Sequence, residues 1–318
     1  MNFGRKFARV VAVAAAFAIA PVAAQAQNFI NILTGGTAGV YYPLGVALSK
    51  LYTDKIKDSR PSVQATKASV ENLNLLQAGK GEIAFTLGDS LAQGWAGDAD
   101  AGFRSKLDKL RVVGAIYPNY IQIVASKESG IKTLADLKGK RLSVGAPKSG
   151  TELNARAILA AAGIKYENLG KVEYLPFAES VELIKNRQLD ATLQSAGLGV
   201  ASIKDLANSV EIVVVEVPAA VIAKAGAPFL AATIPANTYQ GQSAAVETAI
   251  VPNYLVTRSD LSEDAVYQMT KALFDNLPDM VAAHAAAKSI SLQNAAKAPP
   301  VPLHPGAAKY FKEKGVGG

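Results

Sequence analysis

The sequence predicts an α/β protein of two lobes, on three observations. Short β-rich runs alternate with amphipathic or alanine-rich helical stretches from Phe29 onward, the pattern of a sheet covered by helices. Residues 27–318 are more than most single hydrophobic cores accommodate, so two lobes of ordinary size are expected. Three strand ends run into turns rich in Gly, Ser or Thr that open helices.

Residues 28–33 read as a strand, 35–39 as a turn, and 42–52 as a helix with Leu44, Ala47, Leu48 and Leu51 on one stripe. A second strand is expected at 62–66, a helix at 70–78 that Gly79 ends, and a third strand at 83–87. Residues 112–116 make a fourth. A Tyr117-Pro118-Asn119 break then precedes an apolar run at 120–126, where the chain should cross between lobes. Thr133 is placed to cap a short helix through Lys138, which Gly139 closes before a strand at 141–144. The unit repeats with helix 151–162, strand 172–175, helix 178–186 and strand 191–194. Residues 211–217 are strongly strand-like, and an extended run at 249–257 should return the chain to the first lobe.

Ser262 caps a helix with Glu263 and Asp264 in its first turn, where negative charge meets the helix dipole. Val266, Met269, Leu273 and Leu277 face inward, and Pro278 marks an end or a kink. A proline-rich segment from Ala298 precedes a last short helix, and no repeat occurs at solenoid periods. The lobes so read are 27–120 with 254–318, and 121–253.

Arg5, Lys6 and Arg9 precede an uncharged apolar run at 10–20 and a small-residue stretch ending Ala24-Gln25-Ala26, the layout of a cleavable secretory signal over residues 1–26. The run is shorter than the roughly 20 apolar residues of a spanning helix. The mature chain is therefore expected to be periplasmic and monomeric. Cysteine is absent, which removes disulfides and thiolate chemistry, so packing must supply the stability. The formal charge of +7 falls by three on cleavage, and the remaining cations are scattered among acids, a weak case for nucleic acid.

The helix-opening turns carry the chemistry. They are Leu33-Thr34-Gly35-Gly36-Thr37-Ala38-Gly39, Thr66-Lys67-Ala68-Ser69-Val70-Glu71-Asn72 and Gly145-Ala146-Pro147-Lys148-Ser149-Gly150-Thr151. Free N–H groups at a helix start and the helix dipole favour an anion, and glycine lets it approach the backbone. Any one of them also reads as an ordinary capped turn. The third fits a phosphate loop except that Thr151 stands where the lysine belongs, so nucleotide hydrolysis lacks its cation. No G-x-S-x-G elbow occurs, and His284 and His304 stand alone, so no catalytic residue, transition-metal site or cofactor is expected. Scattered carboxylates leave a hard cation open.

The stretches 34–45, 69–73, 83–85 with Asp89, 143–154 and 302–306 together resemble the TAXI class of solute-binding proteins that serve TRAP transporters. The resemblance implies a type II periplasmic-binding-protein fold, two lobes of mixed sheet covered by helices around a central cleft. It implies no enzyme activity, a small carboxylate ligand such as glutamate, glutamine or 2-oxoglutarate, and delivery to a TRAP-type membrane permease. By position, Gly36, Thr37, Gly39, Val40 and Tyr41 would form the first loop of the site. Ser69 and Asn72 would add side chains, Gly150, Thr151 and Asn154 would grip from the other lobe, and Tyr117 would wall the cleft. Asp89 would either receive an ammonium group or cap its helix. Ala38 and Lys148 stand where the family often has glycine, and Lys148 suggests a second carboxylate. An exported enzyme and a sensor module remain the competing readings.

Overall fold

The computed structural model describes residues 28–316 and opens with β1 (Asn28–Leu33), α1 (Tyr41–Lys55), β2 (Ser59–Gln64), α2 (Ser69–Gln77), β3 (Ile83–Leu87) and α3 (Gly88–Ala96). β1 pairs in parallel with both β2 and β3. The predicted stripe of α1 packs inward through Leu44, Leu48 and Leu51. Burying a leucine side chain contributes about 1.5–3 kcal/mol, so this stripe holds the helix down.

The chain then forms β4 (Leu110–Ser126), β5 (Arg141–Ser143), α4 (Gly150–Ala161), β6 (Lys171–Glu173), α5 (Phe177–Lys185) and β7 (Ala191–Ala196). It continues through α6 (Ala201–Ser209), β8 (Ile212–Val215), α7 (Ala219–Ala225), β9 (Leu230–Ile234) and β10 (Val246–Arg258). Last come α8 (Glu263–Phe274), α9 (Leu277–Ala283), α10 (Leu292–Ala295) and α11 (Pro305–Glu313). Among the described residues no helix is long and apolar enough to cross a membrane.

The strand order is β2-β1-β3-β10-β4-β7-β5-β6, with β8 on β4 and β9 on β10. β4 and β10 run antiparallel at the centre, and parallel strands flank them on either side. β3 joins the later half of β10, whereas β7 joins the later half of β4. Helices shield each flank. One core cluster gathers Leu44, Leu48, Phe85 and Leu273, and another gathers Ile123, Leu142, Ile158 and Leu193.

Two expectations need correction. The supposed break at 117–119 lies inside an unbroken β4, because Pro118 stands opposite Pro252 in the β4/β10 register. Two residues without an N–H share one rung, so no ladder donor is missed there. A register shift between Pro252 and Tyr254 takes up the irregularity. Pro278 begins α9 in its first turn rather than ending the helix before it, a position where its missing N–H costs nothing. The segments α3, α6, α7 and β9 went unread. The caps fared better: Ser262 Oγ accepts the Ala265 N–H, and Thr133 forms a capping box with Asp136.

Candidate functional site

The ends of β1, β2 and β3 are tied before any ligand is considered. Asn72 is fully buried, and its side-chain amide donates to the carbonyls of Thr34 at 2.7 Å and Phe85 at 2.9 Å. Its Oδ1 accepts the Thr66 hydroxyl at 2.6 Å, and the Thr34 hydroxyl donates to the Gln64 carbonyl. The loop after β1 therefore leaves a fixed platform. Tyr41 follows it, stacked on Phe85 with ring centroids 5.1 Å apart.

A cavity of about 120 Å³ opens above this platform. One wall is the first-loop backbone at Gly35, Gly36, Gly39 and Val40, with Thr66, Lys67, Ala68 and Ser69 from the turn into α2. The opposite wall is Ala146, Ser149, Gly150 and Thr151 at the start of α4, with Pro176 and Phe177 at the start of α5. Tyr117, Asn119, Ser195 and Ala196, on β4 and β7, make the floor. Three helix starts, those of α2, α4 and α5, thus face one space. Their first N–H groups have no partner within their own helix. Ser69 Oγ accepts the Leu87 N–H at 3.1 Å and Ser149 Oγ accepts the Glu152 N–H at 3.1 Å. Each hydroxyl keeps its own proton to donate.

The walls touch. A Cβ on Gly150 would stand 2.5 Å from Leu87 Cδ1 and 2.6 Å from Ser69 Oγ, so only glycine allows α4 this close to α2. The Glu71 N–H donates to the Lys148 carbonyl at 3.2 Å across the same seam. Ala68 (φ 71°) and Lys148 (φ 61°) both hold left-handed backbone that glycine adopts more readily.

Under the floor runs a chain of hydrogen bonds with one direction. The Tyr41 hydroxyl donates to Asn253 Oδ1, Asn253 Nδ2 to Asn119 Oδ1 at 2.7 Å, and Asn119 Nδ2 to the Ser195 carbonyl at 2.8 Å. The Ser195 hydroxyl donates to Asn154 Oδ1 at 2.8 Å, and Asn154 Nδ2 to Asp89 Oδ2 at 2.5 Å. The bonds through the Asn amides reinforce one another on either side of Ser195, and the series ends on a carboxylate, a strong acceptor. Burial pushes the Asp89 carboxyl up to about 6, against the backbone N–H groups at its helix start and the Asn154 amide, which favour the charged form. Its Oδ1 is buried without a partner. Burial likewise raises the Tyr41 and Tyr117 phenols well above their ordinary value, so both stay protonated.

The sequence matches the NMT1-like family over residues 32–315. The chain belongs to the NMT1-like family. This NMT1-like chain also resembles solved structures. One is a protein from Listeria monocytogenes assigned to an L-cystine ABC transporter, with 14% identity, 83% of this chain and 98% of that chain covered, and a TM-score of 0.52. Another is a binding-protein component of an ABC phosphonate transporter from Pseudomonas aeruginosa, with 13% identity, 84% and 80% covered, and a TM-score of 0.51. At such identities the likeness establishes the fold, a mixed α/β periplasmic-binding-protein architecture.

Of the residues singled out from sequence, Gly36, Gly39, Val40, Tyr41, Ser69, Tyr117, Gly150 and Thr151 line the cavity of this NMT1-like protein. Thr37 is exposed and is not among the lining residues. Asn72 and Asn154 are buried struts behind the walls, and Asp89 is taken by Asn154 rather than open to an ammonium group. Lys148 is exposed and absent from the lining, and its carbonyl accepts the Glu71 N–H. His284 and His304 each cap a helical turn, accepting the N–H groups of Ala286 and Gly306. Sequence reading missed Phe177, Asn119 and Ser195. Phe177 opens α5 at another strand-to-helix turn, a signal the first three turns already illustrated.

Proposed function

We propose that this protein binds a small carboxylate in the cavity between two lobes and passes it to a membrane transporter. The donors carry the reading. Ser69 and Ser149 each accept one backbone N–H through Oγ and carry a hydroxyl proton beside the cavity, next to the helix starts that border it. Such a lining suits a group that only accepts hydrogen bonds.

The lobes are residues 27–120 with 254–318, and 121–253. The exchange of partners along β4 and β10 around the Pro118/Pro252 rung supports that division. Ligand drives closure only by binding the closed state better, which the seam between Gly150 and Ser69 would provide. No histidine, aspartate or glutamate lines the cavity among the described residues, which favours binding over turnover. Residues 1–26, read as a signal, lie outside the described residues; periplasmic delivery to a TRAP-type permease rests on the TAXI resemblance, and glutamate, glutamine and 2-oxoglutarate enter as candidates on the same ground.

Titration calorimetry with small carboxylates, paired with X-ray scattering, tests this reading. A carboxylate should bind at micromolar concentration or below and shrink the radius of gyration. Binding without compaction, or equal binding of the matching neutral amides, would refute it.

A further inference from the structure

The cavity offers hydroxyl and backbone donors but no carboxylate, and that imbalance bears on what the ligand lacks. No lining residue among those described is Asp or Glu. The Tyr117 hydroxyl is buried without a partner, and several other oxygens that border the space already accept one hydrogen bond each. Asn119 Oδ1 accepts Asn253 Nδ2, the Ser195 carbonyl accepts Asn119 Nδ2, and the Ala196 carbonyl accepts Gln122 Nε2 at 3.0 Å. The Ala146 carbonyl accepts the Ser149 N–H, and the Gly36 carbonyl accepts the Gly39 N–H at 3.0 Å. Asp89, absent from the lining, gives one oxygen to Asn154 and has the other buried without a partner. The remaining surface is apolar, from Val40, Leu87, Pro176, Phe177 and Ala196. The single cation on the rim, Lys67, is exposed, and its backbone N–H is held by the Glu71 carboxylate.

An ammonium group brought into this space would lose its water and find no carboxylate among the described lining residues to offset its charge. A carboxylate would keep its partners, and a hydrocarbon body would meet the apolar wall. Resting on the carboxylate reading above, we infer that the ligand is a small carboxylate with an apolar body and no ammonium group, so that amino acids, glutamate and glutamine included, are excluded.

Calorimetry on exhaustively dialysed full-length mature protein tests this with four probes: 3-methyl-2-oxobutanoate, valine, glutamate and 3-methylbutanamide. The first two differ only in carrying an oxo or an ammonium group at the same carbon. The oxo acid should bind at least 100-fold more tightly than valine or glutamate, and the amide should show no heat of binding. Valine or glutamate within tenfold of the oxo acid, or tighter, overturns the inference while leaving the carboxylate reading intact. Amide binding as strong as that of the acids, or no binding by any of the acids at 10 mM (an order-of-magnitude weak limit), overturns the carboxylate reading itself and the inference with it.

Discussion

The turns at residues 34–39 and 145–151 look alike in sequence, both glycine-rich and both opening a helix, yet they are built for different ends. In the first, a Cβ on Gly36 would meet nothing within 4 Å. In the second, a Cβ on Gly150 would strike Leu87 and Ser69, and Gly145 at φ 98° has Thr151 Cγ2 at 2.7 Å from the same construction. The first turn is a platform braced from beneath by Asn72, with room above. The second is a seam in which two walls meet backbone to side chain. Glycine content marks both, and only packing tells the platform from the seam.

Substitution at the seam should therefore cost most. Gly150→Ala should weaken carboxylate binding about tenfold to a hundredfold, following the 1–3 kcal/mol typical of overpacking. Unchanged affinity would mean that the walls do not meet in the bound state. Next in size, Asn154→Ala removes the link from Ser195 to Asp89 and leaves a buried carboxylate oxygen without its donor, a loss of about 1–3 kcal/mol by guanidinium denaturation at pH 7.5.

Asp89→Asn keeps an oxygen for the Asn154 amide and removes the charge. Because the folded carboxyl titrates near 6, above its unfolded value of 3.8, the folded state binds the extra proton between those limits, and stability rises as pH falls through them. The asparagine variant should thus be more stable than the parent at pH 7.5, with the gap narrowing towards pH 4.5. Denaturation midpoints of both proteins across that range check it, and a constant gap would count against a raised Asp89. Lys148→Gly relieves a left-handed backbone and should add up to about 1 kcal/mol without altering affinity. Least of all, Gly36→Ala should leave affinity within about twofold.

Local chemistry was legible in the sequence where it stayed local. The stripe of α1, the caps at Ser262 and Thr133, and the helix-opening turns all follow from residues within a few positions of one another. What escaped depends on distant partners. Pro118 signals a break until Pro252 is set opposite it, and Asn253 meets Asn119 across 134 positions. Lys148 invited a charge argument because residue type is visible in a sequence and direction is not; its left-handed backbone accompanies an ammonium left in solvent. Asp89 left two roles open, and the strut it forms with Asn154 could not be read from either residue alone.

The place of β10 in the sheet has a consequence for the order of assembly. β3 has β10 as its neighbour, with Leu87 against Asn253, so the sheet begun at residue 28 gains its central strand only from residues 246–258. Pairings over such separations must meet the entropy of closing a long loop before they return any contact energy, and folding slows accordingly. Nearly the whole chain has to be made before its amino-terminal strands can settle, a delay that would keep a newly synthesised polypeptide in a form still able to be threaded through a pore.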